Sequence, residues 1–383
     1  GKPNIRSTYP ILSQDGSLRG IVFATMLKDQ IFSLIKTEEG PDGNLTPYKT
    51  IISVPRRHFT ARAVAKVGND YLLSGISFPD PRSSSVSVSL YNNNGQVKYQ
   101  AELPRGKNYG NGVLKFTQIA RVSLGGINYY FLPVDNLSGL PVLVAEGNTR
   151  QAVMIPVEDA GGMSFNGLRA IPNGNMIDVF VTGFDENSLY GIRVNPNNPD
   201  QTTTSITRVP VSDFYINSAR LFYGIFEPSQ EIITGRLNNN NELVDVKIYE
   251  LPFGTNRDYI SGIIALDNNR IATCSSTLVY NNGILGTQIL VDFYRVNDNN
   301  LTLEGSIPIG DLIQQSSGPY IGGLSGVKID AAIINNQEVL LVSTPHNGAY
   351  IVSPDPNNNF HYPINGAGLA GHYQYFPTVR KRS

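Results

Sequence analysis

The stretch SVSLYNNNGQVKYQAELP, residues Ser87–Pro104, contains the pattern on which the fold prediction rests. In its first half Val88 and Leu90 alternate with polar residues, and a period of two indicates a strand with one buried face. Three asparagines and Gly95 follow, and these residue types tolerate the positive φ angles that a tight chain reversal needs. The alternation then resumes as far as Leu103. The stretch therefore predicts a β-hairpin.

The same succession of strand, Asn-rich or Gly-rich turn and strand occurs at seven places along the chain. The turns are centred near Asp42, Asn94, Gly147, Asn197, Asn240, Asn299 and Asn357, at intervals of 43 to 59 residues. A second series of hairpins has the same period but lies out of phase with the first, as in FTARAVAKVGNDYLLSGISF at Phe59–Phe78. Each repeat thus contains two hairpins, or four strands.

Four-stranded units repeated at roughly 40 to 60 residues resemble the β-propeller superfamily. One such sheet cannot bury both of its faces alone, whereas a ring of sheets can. The resemblance implies an all-β fold, a seven-bladed β-propeller that occupies residues 1–383 as a single domain. A solenoid of short repeats is the competing interpretation, although solenoids usually have shorter periods and need capping elements. No narrower family follows, because the chain has no tryptophan and hence no Trp-Asp dipeptide of the WD40 type.

Strand-like segments lie at both ends of the chain: NIRSTYPIL at residues 4–12 precedes the first turn, and YQYFPTV at residues 373–379 follows the last hairpin. We expect the two chain ends to lie close together and to pair within one shared blade, which removes the exposed edge of an open ring. The segment Gly310–Gly326 is an insertion before the last blade, and either a lid over the channel or a surface loop would fit it. Within it, GDLIQQSSG is compatible with one or two helical turns.

The composition of the chain limits the classes of partner that it can bind and indicates its cellular location. The net charge is −1 and the basic residues are dispersed, so we expect no nucleic acid partner. No run of eighteen apolar residues exists, and we expect no transmembrane segment. The single Cys274 cannot form an internal disulfide and is expected to be a small buried residue. A cysteine-poor chain rich in Asn and Tyr favours an extracytoplasmic location, whether periplasmic, cell-surface or secreted.

Candidate binding residues follow from the expected position of the innermost strand of each blade. In a propeller that strand lines the central channel, and ligands usually bind at the channel mouth. Aligning the repeats places one polar set at the start of this strand: Arg6, Thr60, Arg62, Gln118, Asn166, Asn217, Ser261 and Lys328. A ring of hydroxyls and amides with three cations would suit an anionic or polyhydroxylated ligand. The same groups would equally suit hydrogen bonds to channel water.

The sequence offers few residues for catalysis. None of the four histidines occurs at metal-ligand spacing on one element, and the Asp- and Asn-rich turns lack the spacing of a calcium loop. We therefore expect no metal and no cofactor. His58, just before an inner strand, and Asp330, in the stretch VKIDAAII, are the two residues placed to support catalysis at the channel.

Two functions from different classes remain open. The first is a non-catalytic binding or scaffold propeller, which engages a protein or glycan through its loops and channel mouth. Exposed tyrosines would add contact area there, and the candidates are Tyr109, Tyr215, Tyr259 and Tyr320. The second is a channel-mouth hydrolase or lyase of the lactonase or glycan-lyase kind, with or without a metal. We favour binding, because the aligned strands supply Arg and Lys but almost no carboxylate or imidazole. The ligand and the oligomeric state do not follow from the sequence.

Overall fold

The computed structural model describes most of the repeat region of the chain. The described residues are 4–12, 18–26, 31–38, 49–55, 59–80, 83–104, 119–133, 139–158, 163–183, 187–252, 254–255, 257–267, 269–281, 284–314, 328–334, 337–344, 348–358 and 361–363. All of the regular structure in these ranges is β-strand. The described part contains no helix able to span a bilayer.

The described strands form seven four-stranded antiparallel sheets, and each sheet consists of four strands that are consecutive in the chain. The strands of the first four sheets are β1 (Asn4–Leu12), β2 (Leu18–Met26), β3 (Ile31–Glu38) and β4 (Lys49–Pro55); β5 (Phe59–Val67), β6 (Asp70–Asp80), β7 (Ser83–Tyr91) and β8 (Val97–Pro104); β9 (Ala120–Leu124), β10 (Ile127–Phe131), β11 (Gly139–Glu146) and β12 (Thr149–Pro156); and β13 (Met163–Asn173), β14 (Met176–Gly183), β15 (Ser188–Val194) and β16 (Thr202–Arg208). The strands of the other three are β17 (Asp213–Ile216), β18 (Leu221–Phe226), β19 (Glu231–Leu237) and β20 (Leu243–Glu250); β21 (Tyr259–Ala265), β22 (Arg270–Asn281), β23 (Ile284–Val296) and β24 (Leu301–Gln314); and β25 (Lys328–Ile334), β26 (Gln337–Thr344), β27 (Gly348–Val352) and β28 (His361–Pro363).

The first strands of neighbouring sheets pack side by side. β1 contacts β5, β9 contacts β13, and β13, β17, β21 and β25 contact one another in succession. The ring closes because β1 and β2 of the first sheet contact β26 and β25 of the last. The chain is a β-propeller. We refer to its seven sheets as blades 1–7 in chain order, and the first strand of each blade is the innermost.

The core lies between neighbouring blades. Leu72 and Val88 of blade 2 pack with Leu143 of blade 3 in one buried cluster. Cys274 of blade 6 packs with Leu340 of blade 7 in another, and Cys274 is only 1% exposed, which confirms that it is a buried residue. Each fully buried aliphatic side chain contributes about 1.5–3 kcal/mol, so the interfaces between blades supply much of the stability of the ring.

The hairpin that opened the sequence pattern is confirmed, since β7 and β8 pair from Ser85 to Tyr91. Its turn is fixed by Asn92, whose Oδ1 accepts hydrogen bonds from the amides of Asn94 and Gln96, both at 2.9 Å. Gly95 has a φ of +77°, and a Cβ at this position would overlap the backbone oxygen of Ile51 in blade 1. The turn residue of blade 2 is therefore also a contact between blades.

The uneven spacing of the repeats comes from strand length. Blade 5 keeps all four strands, but β17 has only four residues, which shortens that repeat. In blade 6, β22 and β23 have 12 and 13 residues and lengthen the next interval, and β24, with 14 residues, lengthens the one after it. The expected helical turns are wrong where the insertion is described, because residues 310–314 belong to β24.

Neither blade at the junction of the ring combines described strands from both ends of the chain. Blade 1 and blade 7 are each built from four consecutive strands, so neither needs a strand from the other end of the chain. The two blades nevertheless contact each other, as a closed ring requires. The segment 373–379 lies outside the described residues, and its pairing stays a prediction.

Candidate functional site

Different strand ends and turns of each blade lie at the two ends of the ring. Because each blade is a four-stranded meander, its first and third strands run in one direction and its second and fourth strands return. We call the end at which the innermost strands begin the mouth; it also carries the turns between second and third strands. We call the other end, with the turns that follow the innermost strands, the base.

Four innermost strands have an irregular register close to the mouth. The irregularities lie between Ile5 and Ser7 in β1, Ala61 and Ala63 in β5, Ser164 and Leu168 in β13, and Ser261 and Ile263 in β21. The residues left out of register include three of the predicted binding residues, Arg6, Arg62 and Asn166. A bulge disrupts the ladder and redirects side chains, and bulges are over-represented next to functional sites.

Three of the predicted cations lie on consecutive blades. Lys328 is the first residue of β25 in blade 7, Arg6 is the third of β1 in blade 1, and Arg62 is the fourth of β5 in blade 2. Blade 7 contacts blade 1, and blade 1 contacts blade 2. The backbone therefore brings three cationic residues to one side of the mouth. Thr60 lies on the same strand as Arg62, whereas Gln118 and His58 lie outside the described residues.

The assignment of Asn217 to the mouth is wrong. Asn217 follows the last residue of β17 and lies on the turn to β18, at the base. Its Oδ1 accepts hydrogen bonds from the amides of Ala219 and Leu221 at 3.0 and 2.9 Å, the usual task of an Asn in a turn. The sequence alignment took the six-residue LFYGIF strand for the innermost one, because the four-residue β17 is too short to show a clear period.

One expectation about exposure is wrong. Ser261 lies at the start of β21, where it was predicted, and its side chain is buried. Tyr215 and Tyr259 are partly buried and pack against the clusters between blades, whereas Tyr109 and Tyr320 lie outside the described residues. Tyrosines are amphipathic, and sequence position alone does not tell whether the ring faces a core or the solvent.

Tyr215 of blade 5 interacts with charged residues of blades 4 and 7. The guanidinium of Arg169 in β13 lies 6.0 Å from the centre of the Tyr215 ring in β17. Burial raises the pKa of Tyr215, Arg169 lowers it, and the negative charges of Asp330 and Glu338 raise it again, so the net direction is upward. Tyr215 is therefore a neutral phenol at physiological pH. Asp330 of blade 7 thus influences Tyr215 of blade 5 electrostatically, and the other catalytic candidate, His58, lies outside the described residues.

A polar cleft of about 500 Å³ lies at the base between blades 6 and 7. It is lined by Leu266, Asp267, Arg270, Arg295, Glu304, Glu338, Pro354, Asp355 and Asn357. The Glu304 carboxylate accepts hydrogen bonds at 2.7 Å from the Nε atoms of both Arg270 and Arg295. Burial would raise the pKa of Glu304, but these two hydrogen bonds and the positive charges of the same arginines together outweigh burial and lower it. The sequence did not reveal this cleft, because its members come from separate strands of two blades.

Two carboxylates of the cleft hold the turns on which they lie. The Oδ1 of Asp267 accepts hydrogen bonds from the amides of Asn269 and Arg270 at 2.7 and 2.8 Å. Asp355 has the same task towards the amide of Asn357, at 2.9 Å. In the described part of the chain, no three His, Cys, Asp or Glu side chains form a group that could hold a metal ion.

Blade 6 extends beyond its innermost strand at the mouth. β21 pairs with β22 only as far as Ser276, whereas β22 and β23 stay paired as far as Asn281 and Ile284. β24 follows β23 until Gln314 pairs with Gly286. We call this three-stranded extension, residues 277–281, 284–288 and 310–314, the blade 6 projection. It exposes 41% of Leu278 and 75% of Tyr280, and neither residue was predicted from the sequence to belong to a site.

Comparison with solved structures finds several similar chains at 11% sequence identity. The periplasmic gluconolactonase of Pseudomonas aeruginosa has a TM-score of 0.42, with 92% of this chain and 83% of that chain covered. The WD40 domain of SCAP from fission yeast has a TM-score of 0.42, with 94% and 86% covered. A neuraminidase-like protein from A/bat/Guatemala has a TM-score of 0.39, with 90% and 84% covered. No protein-family model and no curated protein matches the sequence.

Proposed function

We propose that this propeller is a non-catalytic binding or scaffold protein that engages a protein or glycan partner through its mouth. The blade 6 projection is the observation that carries the proposal. Three strands continue beyond the ring and present Leu278 and Tyr280 to solvent, with Tyr280 three-quarters exposed. Tyrosine offers a large contact area with a polar tip, and exposed apolar patches on a folded protein mark interaction sites.

The cationic side of the mouth supports an anionic or polyhydroxylated group on the partner. Lys328, Arg6 and Arg62 belong to the innermost strands of three consecutive blades, so three basic residues follow one another around the ring. Charges of one sign around an opening raise the local concentration of oppositely charged ligands and speed their association. The bulges at Arg6 and Arg62 give these positions a backbone geometry different from the rest of their strands.

Arrays of glycans and of peptides, probed with the purified full-length chain, test the proposal. We expect binding to anionic members of at least one array, and a drop of about tenfold in affinity for the Arg6→Ala/Arg62→Ala double variant. Arg236→Ala is the matched control, because Arg236 is an exposed arginine that pairs with Asp245 on the outer strands of blade 5. Absence of binding on both arrays, or equal affinity of the double variant and the wild type, would contradict the proposal.

We further propose that the protein works outside the cytoplasm. The support is compositional, since the chain has one cysteine and 20 tyrosines among 383 residues. Fractionation of the source cells, followed by immunoblotting, tests the location. We expect the protein in the periplasmic, surface or secreted fraction and digestion by protease added to intact or outer-membrane-permeabilised cells. Recovery in the cytosolic fraction alone would overturn this part of the proposal.

A further inference from the structure

Strand β22 has one edge that is paired along its whole length and one that is not. β23 pairs with it from Arg270 to Asn281. β21 pairs with the other edge only from Ile271 to Ser276. Within the described part of the chain, residues 277–281 therefore have a strand partner on one side only. We call this stretch the β22 edge.

The backbone groups of the β22 edge point away from β23. The Ser276 carbonyl accepts a hydrogen bond from the Asp258 amide at 2.9 Å, and the Leu278 amide donates to the Asp258 carboxylate. Both groups thus face the side of β21. Backbone groups that face one side of an antiparallel strand recur at every second residue, so the amide and carbonyl of Tyr280 also face this side. They have no hydrogen-bond partner among the described residues.

The side chains at the β22 edge give it an apolar face. Leu278 and Tyr280 are two and four residues beyond Ser276 and share the face of β22 that carries Cys274. Cys274 packs against blade 7 in the cluster that contains Leu340. Leu278 and Tyr280 therefore extend that face beyond the ring, above the start of blade 7. Proteins usually cover or charge an apolar strand edge, because it otherwise pairs with other chains.

We infer that the β22 edge binds an extended peptide segment of a protein partner, which adds to blade 6 as a further strand. The inference rests on the proposed function and names the partner class. On this side of β22 the Tyr280 amide is a free donor, and the carbonyls of Leu278 and Tyr280 are acceptors two residues apart, about 6.6–6.8 Å. This arrangement matches an extended backbone rather than a helix or a sugar. Alternate side chains of the peptide would contact Leu278 and Tyr280, so apolar or aromatic residues are expected at every second position.

A library of random nine-residue peptides, screened against the full-length chain by fluorescence anisotropy, supplies the probe. The best binder is then synthesised in two forms, each N-methylated at alternate amides in one of the two registers. We expect one form to lose about tenfold or more in affinity and the other to bind like the parent, because only one register donates to the edge. Equal affinity of the two forms would overturn the inference.

Substitutions at Leu278 and Tyr280 test whether the β22 edge binds the peptide. Leu278→Ser should weaken peptide binding about tenfold, whereas Ile206→Ser should leave it unchanged. The two residues form a matched pair, since Leu278 is 41% and Ile206 42% exposed, and Ile206 lies on the outer strand of blade 4. Tyr280→Pro should abolish binding by removing the outward amide, and Tyr280→Ala should only weaken it. Equal effects of Leu278→Ser and Ile206→Ser would contradict the inference.

Other occupants of the β22 edge give different results. Slow hydrogen exchange of the Tyr280 amide in the free monomer would show that another part of this chain already covers the edge. A dimer in sedimentation experiments that dissociates in the Tyr280→Pro variant would show pairing with a second copy. Either result overturns the inference. If glycans bind at the mouth but no peptide binds, the inference fails and the proposed function stands.

Discussion

The guanidinium of Arg220 in blade 5 lies 2.8 Å from the carboxylate of Asp178 in blade 4. Asp178 is fully buried, and it also accepts hydrogen bonds from Arg193 at 2.8 Å and from the amide group of Asn173 at 2.8 Å. One carboxylate thus holds together the base of two neighbouring blades. Arg220 adopts a φ of +61°, so the contact also depends on an unusual turn conformation.

Replacement of the Asp178 carboxylate is expected to destabilise the ring strongly. Asp178→Asn leaves the Arg193 and Arg220 guanidiniums without their anion, and breaking a buried ion pair typically costs about 3–5 kcal/mol. The control is Asp245→Asn, because the Asp245–Arg236 pair is exposed and such pairs contribute less than about 1 kcal/mol. Urea unfolding at pH 7 measures both. Similar losses in the two variants would mean that Asp178 does not join the blades as described.

The same carboxylate should make stability depend on acid pH. Burial would raise the pKa of Asp178, but hydrogen bonds from Arg193, Asn241, Arg220 and Asn173 outweigh burial and lower it. A lowered pKa in the folded state means that the contribution is complete above the unfolded value of about 4 and is lost as the pH falls through the folded value. We expect the unfolding free energy of the wild type to fall more steeply below pH 5 than that of Asp178→Asn. Parallel curves would contradict this.

Tyr223 should make stability depend on alkaline pH. Burial, with the negative charge of Asp267 and that of Tyr215 once it ionises, raises the pKa of Tyr223 to about 12. The folded state keeps a proton that the unfolded state releases near pH 10, so the contribution is present below about pH 10 and lost as the pH rises towards 12. Tyr223→Phe removes one titrating group. It should reduce the decrease in unfolding free energy above pH 10 by up to about 1.4 kcal/mol per pH unit. Unfolding in urea between pH 8 and 11 gives the slope of unfolding free energy against pH for the wild type and for the variant. Identical slopes would exclude this role of Tyr223.

Gly95 should be more sensitive to substitution than other turn glycines. Gly95 and Gly147 both have a positive φ, +77° and +51°, and alanine in that region costs about 1–2 kcal/mol at either site. A Cβ at Gly95 would also overlap the Ile51 backbone, whereas a Cβ at Gly147 meets nothing within 4 Å. We expect Gly95→Ala to lower the unfolding free energy about twice as much as Gly147→Ala. Equal losses would show that the turn does not touch blade 1.

The repeat architecture could be predicted from the sequence because each blade carries its own local signals. Alternating strands and Asn-rich or Gly-rich turns need no knowledge of distant contacts, and the hairpin around Gly95 folds as its residues require. The predicted position of the innermost strand was wrong in blade 5. Its innermost strand has only four residues, too few for a clear period, so Asn217 was assigned to the wrong end of the strand.

The candidate sites were harder to predict, since they depend on contacts between blades. The positions of Arg6, Arg62 and Lys328 at the mouth follow from counting along each repeat. The cleft around Glu304 and the apolar β22 edge do not, because they depend on how far neighbouring strands extend. The lengths of β22, β23 and β24 are set by pairing with each other, and no residue of the sequence marks the point where β21 begins.

Amide hydrogen exchange of the full-length chain, with and without the best ligand from the arrays, tests binding at the mouth most directly. We expect the bound ligand to slow exchange in residues 277–281 and at the starts of the innermost strands of blades 7, 1 and 2. The base supplies the internal comparison, through residues 266–270 and 354–357 of the polar cleft. Slowing confined to the base would contradict a binding mouth and place the ligand in the cleft between blades 6 and 7.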